Sequence, residues 1–374
     1  MKRESVATIK DVAKRANVSV GTVSNVLSGS TSVGDAIRAR VQAAIDHLDY
    51  YPDHVARSLK IKRTRSLGLV LSDITNPFFA QVLRGAEDCA LANGYVLITL
   101  NSDDRFDREK KILSVLRSFR VDGILLIVAP NAGDSTHISN VLRSGTPIVC
   151  LDRVTENIPL DCVSVNNIDG AQMCVRHLIQ QGHRRIGIIN GSSTLQTSKQ
   201  RLAGYLAALK EAQIEVEPGL IKEGDFREAS GHRLGKELLL AHRRPTAVFV
   251  SNGLMTVGFI HALNELSLHC PEDIAVASFD DLPLADVFRP QITAVSQPAY
   301  EIGYGGAQLL IDRLQHKITS RNPVSICLSP ELKIRASTSI RVDLDYAHGP
   351  LVRSTGRALK SSKRRPTTKS ASAD

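Results

Sequence analysis

The sequence predicts an all-α helix-turn-helix headpiece followed by an α/β core of two doubly wound parallel-sheet lobes. Three observations support this prediction. The first sixty or so residues have helical periodicity without strand-like runs, whereas from Ser66 onward short runs rich in Val, Ile and Leu alternate with amphipathic stretches of helical length. The roughly 280 residues after that point are generous for a single doubly wound sheet, which favours two lobes. Such sheets bind ligands at the carboxyl ends of their strands, so two facing lobes would form a cleft.

The first fifty residues contain three predicted helices. Lys10–Ala16 forms the first, and Ser19 is a natural N-cap for a second over Val20–Leu27. A third is predicted over Asp35–Leu48, because its apolar residues fall on one stripe. Two short helices joined by a tight turn and closed by a third form a helix-turn-helix domain, whose second helix enters the major groove of DNA.

The core is predicted from its apolar runs and the turn residues between them. The candidate strands are Leu67–Leu71, Val96–Leu100, Gly123–Val128, Ile148–Leu151, Val163–Val165, Ile186–Ile189, Ala247–Val250 and Ile274–Ser278. The candidate helices include Phe78–Ala92, Asp169–Gln181, Gln200–Gln213 and Met255–Leu266. We expect the chain to cross between lobes near Asp161–Val165 and to recross after Ile292–Pro298 and before Leu332.

Positive charge is concentrated at the two ends of the chain. Residues 1–65 carry twelve Lys/Arg and six Asp/Glu, and residues 348–374 carry seven Lys/Arg and one Asp. Because the whole chain has a net charge of +9, the middle has a net charge of −3. A basic block on a mildly acidic body is typical of a nucleic-acid-binding module on a separate domain, although charge alone is equally compatible with solvated faces.

Composition argues against several classes of protein. No run of about eighteen apolar residues predicts a transmembrane helix, and residues 1–10 lack the apolar stretch of a secretory signal. The six cysteines at 89, 150, 162, 174, 270 and 327 form no C-x-x-C motif. We therefore expect free, mostly buried thiols in the cytoplasm, no metal site, no cofactor and no membrane partner.

Two glycine-containing segments resemble enzyme motifs only superficially. The run GHRLGKE at 231–237 is one residue short of a phosphate-binding loop, ends in Glu and falls in a predicted helix. The run GYGG at 303–306 lacks the preceding strand that a dinucleotide fingerprint needs. Neither H-E-x-x-H nor G-x-S-x-G occurs, so no catalytic residue is assigned and the chain is not predicted to be an enzyme.

Eight motifs follow one another in a fixed order over about residues 6–340. They are ATIKDVAKRANVSVGTVSNVL at 7–27, YPDHVARSLK at 51–60, SLGLV at 66–70, NPFF at 76–79, GHRRIG at 182–187, RLAGY at 201–205, RPTA at 244–247 and SFDD at 278–281. Together they resemble the LacI/GalR family of bacterial transcriptional regulators. The first motif is similar to the family's headpiece, most closely to that of its purine-responsive members, and the second resembles the family's hinge helix.

This resemblance implies a DNA-binding homodimer with a core like that of periplasmic sugar-binding proteins and a small effector between the lobes. The implied organisation is a helix-turn-helix domain at 1–50, a hinge helix and linker at 51–65, and a bilobed effector-binding and dimerisation core at 66–342. Lobe 1 would comprise about 66–163 and 298–330, and lobe 2 about 164–293 and 331–342. Residues 343–374 form a basic tail that we expect to be disordered, since it has almost nothing to bury.

The recognition helix has unusual residues where base reading is expected. Val20 offers only apolar contact, such as with a thymine methyl group, and Gly21 has no side chain. Asn25 is the main polar reader, able to pair with adenine or accept from cytosine. The hydroxyl groups expected to contact phosphates are those of Thr8, Ser19, Thr22 and Ser24. Packing remains an alternative for Val20 and Thr22, and part of the specificity is expected to be indirect.

The hinge segment gives a sharper expectation. Val55, Ala56 and Leu59 form a small apolar face on a helix too short to be stable alone in water. By resemblance, this helix forms when two copies pair over DNA, and Leu59 from each subunit wedges into the central base step through the minor groove. Lys60 follows into the same groove. The alternative is an ordinary linker with one stray leucine.

The family motifs also place candidate effector-binding residues in the cleft, most of them at predicted strand ends. They are Phe78, Phe79, Asp152, Arg153, Thr197, Arg201, Phe226, Asn252 and Asp280. An Arg and an Asp that face each other can bracket vicinal hydroxyls or a ring with donors and acceptors. The alternatives are a structural salt bridge for Arg201 and Asp280, and core packing for Phe78.

Two departures from the family bear on the effector. Leu195 stands where purine-binding members carry an arginine, which argues against a purine. Asn252-Gly253 stands where many sugar-binding members have Asn-Asp, whereas Leu151-Asp152-Arg153 resembles sugar-responsive members. We expect a sugar or sugar acid, with a nucleobase or a partner protein as alternatives, and less favourably a solute-binding protein without DNA function.

The hinge hypothesis predicts that Leu59→Ala weakens operator binding at least about tenfold, because a minor-groove wedge contributes a few kcal/mol through the bent duplex. Ligand binding to the core should be unchanged. Titration of the variant against a duplex selected from random DNA measures the effect, and Leu351→Ala in the tail is the matched control. Unchanged affinity of Leu59→Ala would refute the wedge.

Overall fold

A computed structural model describes residues 7–27, 32–50, 64–130, 134–155, 157–283, 285–287, 289–320 and 322–339. The predicted hinge residues Val55, Ala56, Leu59 and Lys60 and the basic tail lie outside the described residues. The predicted helix-turn-helix headpiece and two parallel-sheet lobes are both present.

The headpiece consists of three helices packed around a small apolar core. Its helices are α1 (Ile9–Ala16), α2 (Val20–Leu27) and α3 (Asp35–Leu48). Each helix contributes one fully buried valine to this core: Val12 from α1, Val23 from α2 and Val41 from α3. The helices occur where helical periodicity predicted them, since each has only one apolar stripe to bury.

The remaining elements alternate strand and helix along the chain. The strands are β1 (Ser66–Leu71), β2 (Val96–Asn101), β3 (Gly123–Leu126), β4 (Ile148–Leu151), β5 (Asp161–Val165), β6 (Ile186–Asn190), β7 (Ile221–Glu223), β8 (Ala247–Val250), β9 (Ala275–Phe279), β10 (Thr293–Ser296), β11 (Ser325–Leu328) and β12 (Glu331–Lys333). The helices are α4 (Pro77–Ala92), α5 (Phe106–Ser118), α6 (Thr136–Arg143), α7 (Asn167–Gln180), α8 (Gln196–Glu211), α9 (Glu228–Leu239), α10 (Gly253–Glu265) and α11 (Ala299–Leu314).

These strands form two six-stranded sheets of the same topology. The first has the order β11-β5-β4-β3-β1-β2, and the second has the order β12-β10-β9-β8-β6-β7. All neighbouring strands are parallel except β10 and β12. Apolar clusters cover both faces of each sheet, which is why the central strands are continuous Val/Ile/Leu runs rather than alternating patterns.

The chain passes between the two sheets three times. It leaves the first sheet after β5, returns after β10 to form α11 against the first sheet, and enters the second sheet again between β11 and β12. These positions agree with the crossings expected from the sequence. The predicted limits of the lobes as separate units remain predictions.

Glycines allow two pairs of helices to approach closely. A Cβ atom on Gly303 of α11 would lie 1.9 Å from the carbonyl oxygen of Val82 in α4, and one on Gly231 of α9 would lie 2.2 Å from the carbonyl oxygen of Met255 in α10. Larger side chains would force these helices apart. The glycines of both enzyme-like segments therefore lie within helices and serve helix packing, as the absence of a preceding strand indicated.

Several elements differ from the sequence prediction. β3 ends at Leu126, two residues earlier than predicted, and α8 begins at Gln196 rather than at residue 200. The apolar-run criterion missed the short strands β7, β10, β11 and β12. Of these, β7, β11 and β12 are edge strands whose side chains are partly or fully exposed, whereas β10 is a buried strand of only four residues between β9 and β12. The candidate helices named from the sequence did not include α5, α6 and α11, and α9 was indicated only by the segment at 231–237.

The described residues contain no helix long and apolar enough to cross a membrane. Nor do they contain a group of three or more His, Cys, Asp or Glu side chains placed to hold a metal ion. The six cysteines are free, and four of them are buried. Burial raises the pKa of the Cys89 thiol to about 11, so this thiol is protonated at neutral pH.

Buried His183 predicts a pH-dependent stability of the second lobe. Burial lowers its pKa from 6.5 to about 4, with a smaller contribution from His177. As the pH falls below 6.5, the unfolded chain takes up a proton that folded His183 does not, so the free energy of unfolding decreases. At about pH 5 this loss is about 2 kcal/mol.

His183→Gln should remove this part of the acid sensitivity. Urea unfolding of wild type and variant at neutral pH and at about pH 5 measures the difference. The exposed His242→Gln is the control and should retain the acid sensitivity of the wild type. The same pH dependence in His183→Gln as in wild type would contradict the assignment.

Candidate functional site

The second headpiece helix presents a solvent-facing surface of small side chains. Val23 and Val26 of α2 point into the core. The exposed residues of this helix are Val20, Gly21, Ser24 and Asn25. Val20 exposes 41% of its surface, so core packing, the alternative interpretation, does not account for it. Thr22 is only partly exposed.

The hydroxyl groups predicted to contact phosphates already make hydrogen bonds within the headpiece. The Ser19 hydroxyl oxygen accepts from the backbone N–H of Thr22 at 3.0 Å, which caps α2 as predicted. The Thr8 hydroxyl donates to the Asp11 carboxylate at 2.6 Å, and this hydrogen bond is the main cause of the lowered pKa of Asp11. These bonds fix the starts of α1 and α2, and phosphate contacts by the same residues remain a prediction.

A cavity lies between the two lobes, where the facing edges of the two sheets meet. All nine effector-binding residues predicted from the sequence line it. They follow different strands of two sheets, yet parallel strands bring their carboxyl ends to one edge, and the two edges face each other. The structure therefore brings together the whole predicted set, while the effector-binding role of each residue remains a prediction.

The first lobe contributes an aromatic wall. Asn76 caps α4 by accepting a hydrogen bond from the Phe78 N–H at 3.0 Å, and Pro77 occupies the first helical turn. Phe78 and Phe79 contact edge to face, with ring centroids 5.0 Å apart. Phe79 is 4% exposed and belongs to the core cluster, whereas Phe78 is half-buried. Phe78 is thus the ring available to a ligand, and Phe79 supports it.

Arg153 is held at the cavity by a buried ion pair. Its guanidinium donates to the Asp104 carboxylate at 2.5 Å and to the Val128 carbonyl at 3.1 Å. The neighbouring Asp152 has a left-handed backbone, with φ of 63°, and its Oδ1 is buried without a hydrogen-bond partner. Burial raises the pKa of Asp152, and the charges of Arg153 and Arg201 oppose this rise.

Arg201 is a fully buried guanidinium in the second lobe. It donates to the Asn167 side-chain oxygen at 2.8 Å and to the Ser251 carbonyl at 2.6 Å, and it stacks 3.8 Å above the Phe279 ring. The structure shows no ion pair between Arg201 and Asp280, so a structural salt bridge is not its role. Burial lowers its pKa, and the fields of Asp280 and Asp152 act against this lowering.

Phe226 and Asn252 form one structural unit on the other side of the cavity. The side-chain amide of Asn252 donates to the Phe226 carbonyl at 2.9 Å, and its oxygen caps α10 by accepting from the Met255 N–H at 3.0 Å. Phe226 has a left-handed backbone, and its ring lies against Gly191, where a Cβ would come within 2.2 Å of it. One end of the Asn252 amide therefore holds the Phe226 wall, and the other end caps α10.

Sequence reasoning missed six residues that line the same cavity. These are Asp73, Asn76, Asp104, Asp225, Arg227 and Gln297. Each follows a strand, at the same sheet edge as the predicted residues, so strand ends alone were the available signal. Gln297 donates to the Asp280 carboxylate from the segment that follows β10, a strand that the apolar-run criterion did not detect.

Leu195 lies beside this cavity rather than in its wall. It is 6% exposed, precedes α8 and lines a neighbouring cavity. Arg153 lines both cavities. The apolar residue at this position therefore faces a second space between the lobes.

Comparisons with known proteins match both parts of the chain. Residues 8–53 match the family described as bacterial regulatory proteins, lacI family, and residues 175–338 match the periplasmic binding protein-like domain. The HTH-type transcriptional repressor PurR of Pectobacterium carotovorum subsp. carotovorum (strain PC1) is 37% identical over 342 residues, which cover 91% of this chain and 99% of the relative.

Two solved structures extend these similarities to the fold. The lac repressor dimer bound to operator and the anti-inducer ONPF has a TM-score of 0.79 at 26% identity, covering 89% of this chain and 99% of that one. The transcriptional regulator CelR in complex with cellobiose has a TM-score of 0.68 at 30% identity, covering 88% of this chain and 99% of that one.

Arg201→Lys should destabilise the second lobe by about 1–3 kcal/mol, because an ammonium cannot make both hydrogen bonds and stack on Phe279. The urea midpoint of unfolding, followed by circular dichroism, measures the change. Arg233→Lys is the control, since Arg233 is 61% exposed at its side chain and pairs only with Glu237 on its own helix. Equal midpoints for both variants would contradict a structural role of the Arg201 guanidinium.

Proposed function

The chain belongs to the LacI family of bacterial regulatory proteins, and from this premise we propose that it represses transcription as a homodimer on a palindromic operator, under control of a sugar-like effector bound between its lobes. Membership of this family shows that the chain is a DNA-binding transcriptional repressor with an effector-binding domain, and not an enzyme. The homodimer, the palindrome and the effector class are the proposal. Its place of action is the nucleoid in the cytoplasm.

The observation that carries the proposal is the polar arrangement of the interlobe cavity. Arg201 offers a guanidinium near two carboxylates, Asp152 and Asp280, but forms no ion pair with Asp280. A hydroxyl group both donates and accepts, so neighbouring hydroxyls of a sugar can bridge such a set of donors and acceptors. The half-buried ring of Phe78 and that of Phe226 supply the apolar walls on which a sugar ring can stack.

A similar structure supports this choice of effector class. CelR, whose structure contains cellobiose, shares 30% identity and nearly the whole described fold. The five carboxylates and three guanidinium groups in the cavity wall leave an excess of negative charge. A neutral sugar avoids the repulsion that a sugar acid would meet beside Asp152 and Asp280, so within the proposed class we favour neutral sugars over sugar acids.

A nucleobase is the second candidate, and the relatives named PurR favour it. Phe78 and Phe226 could stack a planar base as well as a sugar ring, and Thr197, Arg201 and Asp280 supply hydrogen bonds of both kinds. Leu195, whose identity argued against a purine in the sequence, lines the neighbouring cavity rather than this wall, so it does not decide against a base here. No observation specifically favours a partner protein as effector.

For operator recognition we propose that α2 lies in the major groove with Val20, Gly21 and Asn25 toward the bases. Val20 and Gly21 leave little polar chemistry at the start of the helix, so Asn25 carries the direct polar reading. Leu59 and Lys60 of each subunit would act in the minor groove. Small side chains at the reading positions favour a contribution from DNA shape.

Thermal unfolding in the presence of candidate effectors tests the ligand class. Neutral sugars should raise the melting temperature by roughly 5 °C near a hundredfold excess over Kd, whereas sugar acids and nucleobases should not. Arg201→Lys should abolish the shift, and Arg233→Lys should retain it. If only hypoxanthine or guanine raised the melting temperature, the effector would be a nucleobase rather than a sugar. If only sugar acids raised it, the argument that the negative charge of the cavity excludes them would be overturned.

Selection of binding sites from random DNA tests the operator proposal. The selected sequences should be palindromic, and affinity should fall steeply with salt because phosphate contacts release counterions. Asn25→Ala should cost about 1–3 kcal/mol and relax the preference at one position in each half-site. Gln42→Ala, an exposed amide on α3, is the control. Non-palindromic selected sites would contradict binding as a symmetric dimer.

A further inference from the structure

One arginine links the two lobes across the mouth of the cavity. Arg227 belongs to the second lobe, between β7 and α9, and directly follows the cavity wall residue Phe226. Its Nη2 donates to the Asp103 carboxylate at 2.9 Å and to the Asp103 carbonyl at 3.3 Å. Its Nη1 lies 4.0 Å from the Asp73 carboxylate. Both aspartates belong to loops of the first lobe, after β2 and β1.

Two successive carboxylates in the first lobe point in opposite directions. Asp103 and Asp104 both have left-handed backbones, with φ of 58° and 55°. Asp104 turns inward to the buried Arg153, whereas Asp103 turns outward to Arg227. Non-glycine residues persist in this conformation only where the surroundings hold them. The Asp103–Arg227 pair at the mouth and the Asp104–Arg153 pair in the cavity therefore depend on the same strained turn.

From this geometry we infer that Arg227 and Asp103 form a latch, which holds the lobes closed and keeps the Phe226 wall opposite the Phe78 wall. Arg227 is a positioning residue in this role, because it acts through the wall residue before it. Its effect on effector exchange rests on the proposed function, but the closure itself does not require an effector.

The exposure of the latch determines how it should respond to salt. The side chains of Arg227 and Asp103 are 45% and 36% exposed, so dissolved ions can screen the pair. Arg108 also lies 3.5 Å from Asp103, so an arginine placed at 103 would face a like charge. Neutral variants are therefore better tests than a charge exchange between the two positions.

Because the chain contains no tryptophan, a single introduced indole can report on the cavity. Phe78→Trp places the reporter in the first-lobe wall, and acrylamide, a neutral quencher, measures access to it in the ligand-free protein. Phe119→Trp, at the exposed position that directly follows α5, reports on changes unrelated to the cleft. Urea midpoints establish that each variant is folded.

In the Phe78→Trp background, Arg227→Gln and Asp103→Asn should each raise quenching roughly two- to fivefold, as expected for loss of an exposed ion pair. The double variant should quench no more than either single one, because both remove the same interaction. Raising the salt from about 0.05 M to about 0.5 M should open the parent cleft but change the variants little. Arg227→Lys should be intermediate.

The matched control is Arg233→Gln, which removes an arginine of α9 that pairs only with Glu237 in the same lobe. It should leave quenching unchanged. Unchanged quenching in Arg227→Gln and Asp103→Asn, additive effects in the double variant, or an equal effect of Arg233→Gln would each overturn the latch. Since no effector is present, such a result would leave the effector proposal standing, and failure of the sugar screen would leave the latch standing.

Discussion

The constraint on which the site depends is the parallel arrangement of strands in both sheets. Parallel strands end at the same edge, so every loop that follows a strand carboxyl end reaches the same side of its lobe. The chain then passes three times between the sheets, which fixes the two edges face to face. Residues as distant in sequence as Phe78 and Gln297 meet in one cavity for this reason.

Within that cavity the charged groups play different parts. Arg153 is neutralised by Asp104 at 2.5 Å, so it is a fixed part of the wall. Arg201 instead uses backbone and amide oxygens and the Phe279 ring, and keeps its charge without a direct carboxylate contact. A buried charge held this way is costly unless a ligand or nearby carboxylates compensate it. The burial of Arg201 therefore makes the stability of the second lobe depend on these contacts and on the fields of Asp280 and Asp152.

The recognition helix and the interlobe cavity differ in how far their side chains indicate what each would bind. In the headpiece, Val20 and Gly21 are exposed but carry almost no hydrogen-bonding chemistry, so they indicate a DNA-binding helix without specifying bases. In the core, the carboxylates, guanidinium groups and phenyl rings line one cavity and would suit the polar ligand with apolar faces that we propose. Leu195 was informative as a departure from purine-binding relatives, although it lies in a neighbouring cavity rather than in the wall itself.

The sequence by itself determined the class of fold and the three headpiece helices, because periodicity is a local property. Its resemblance to the LacI family identified the nine predicted cavity residues, because the motifs that carry them are also local. Only the tertiary structure revealed Asp104, Arg227 and Gln297 in the cavity, since their roles depend on partners far away in the chain. It also decided that Arg201 is not paired with Asp280 and that Asn252 is committed to holding Phe226. Distances between side chains from different lobes have no signature in a local pattern, because they arise from the packing of two sheets that the chain joins at three widely spaced crossovers, the first two more than a hundred residues apart.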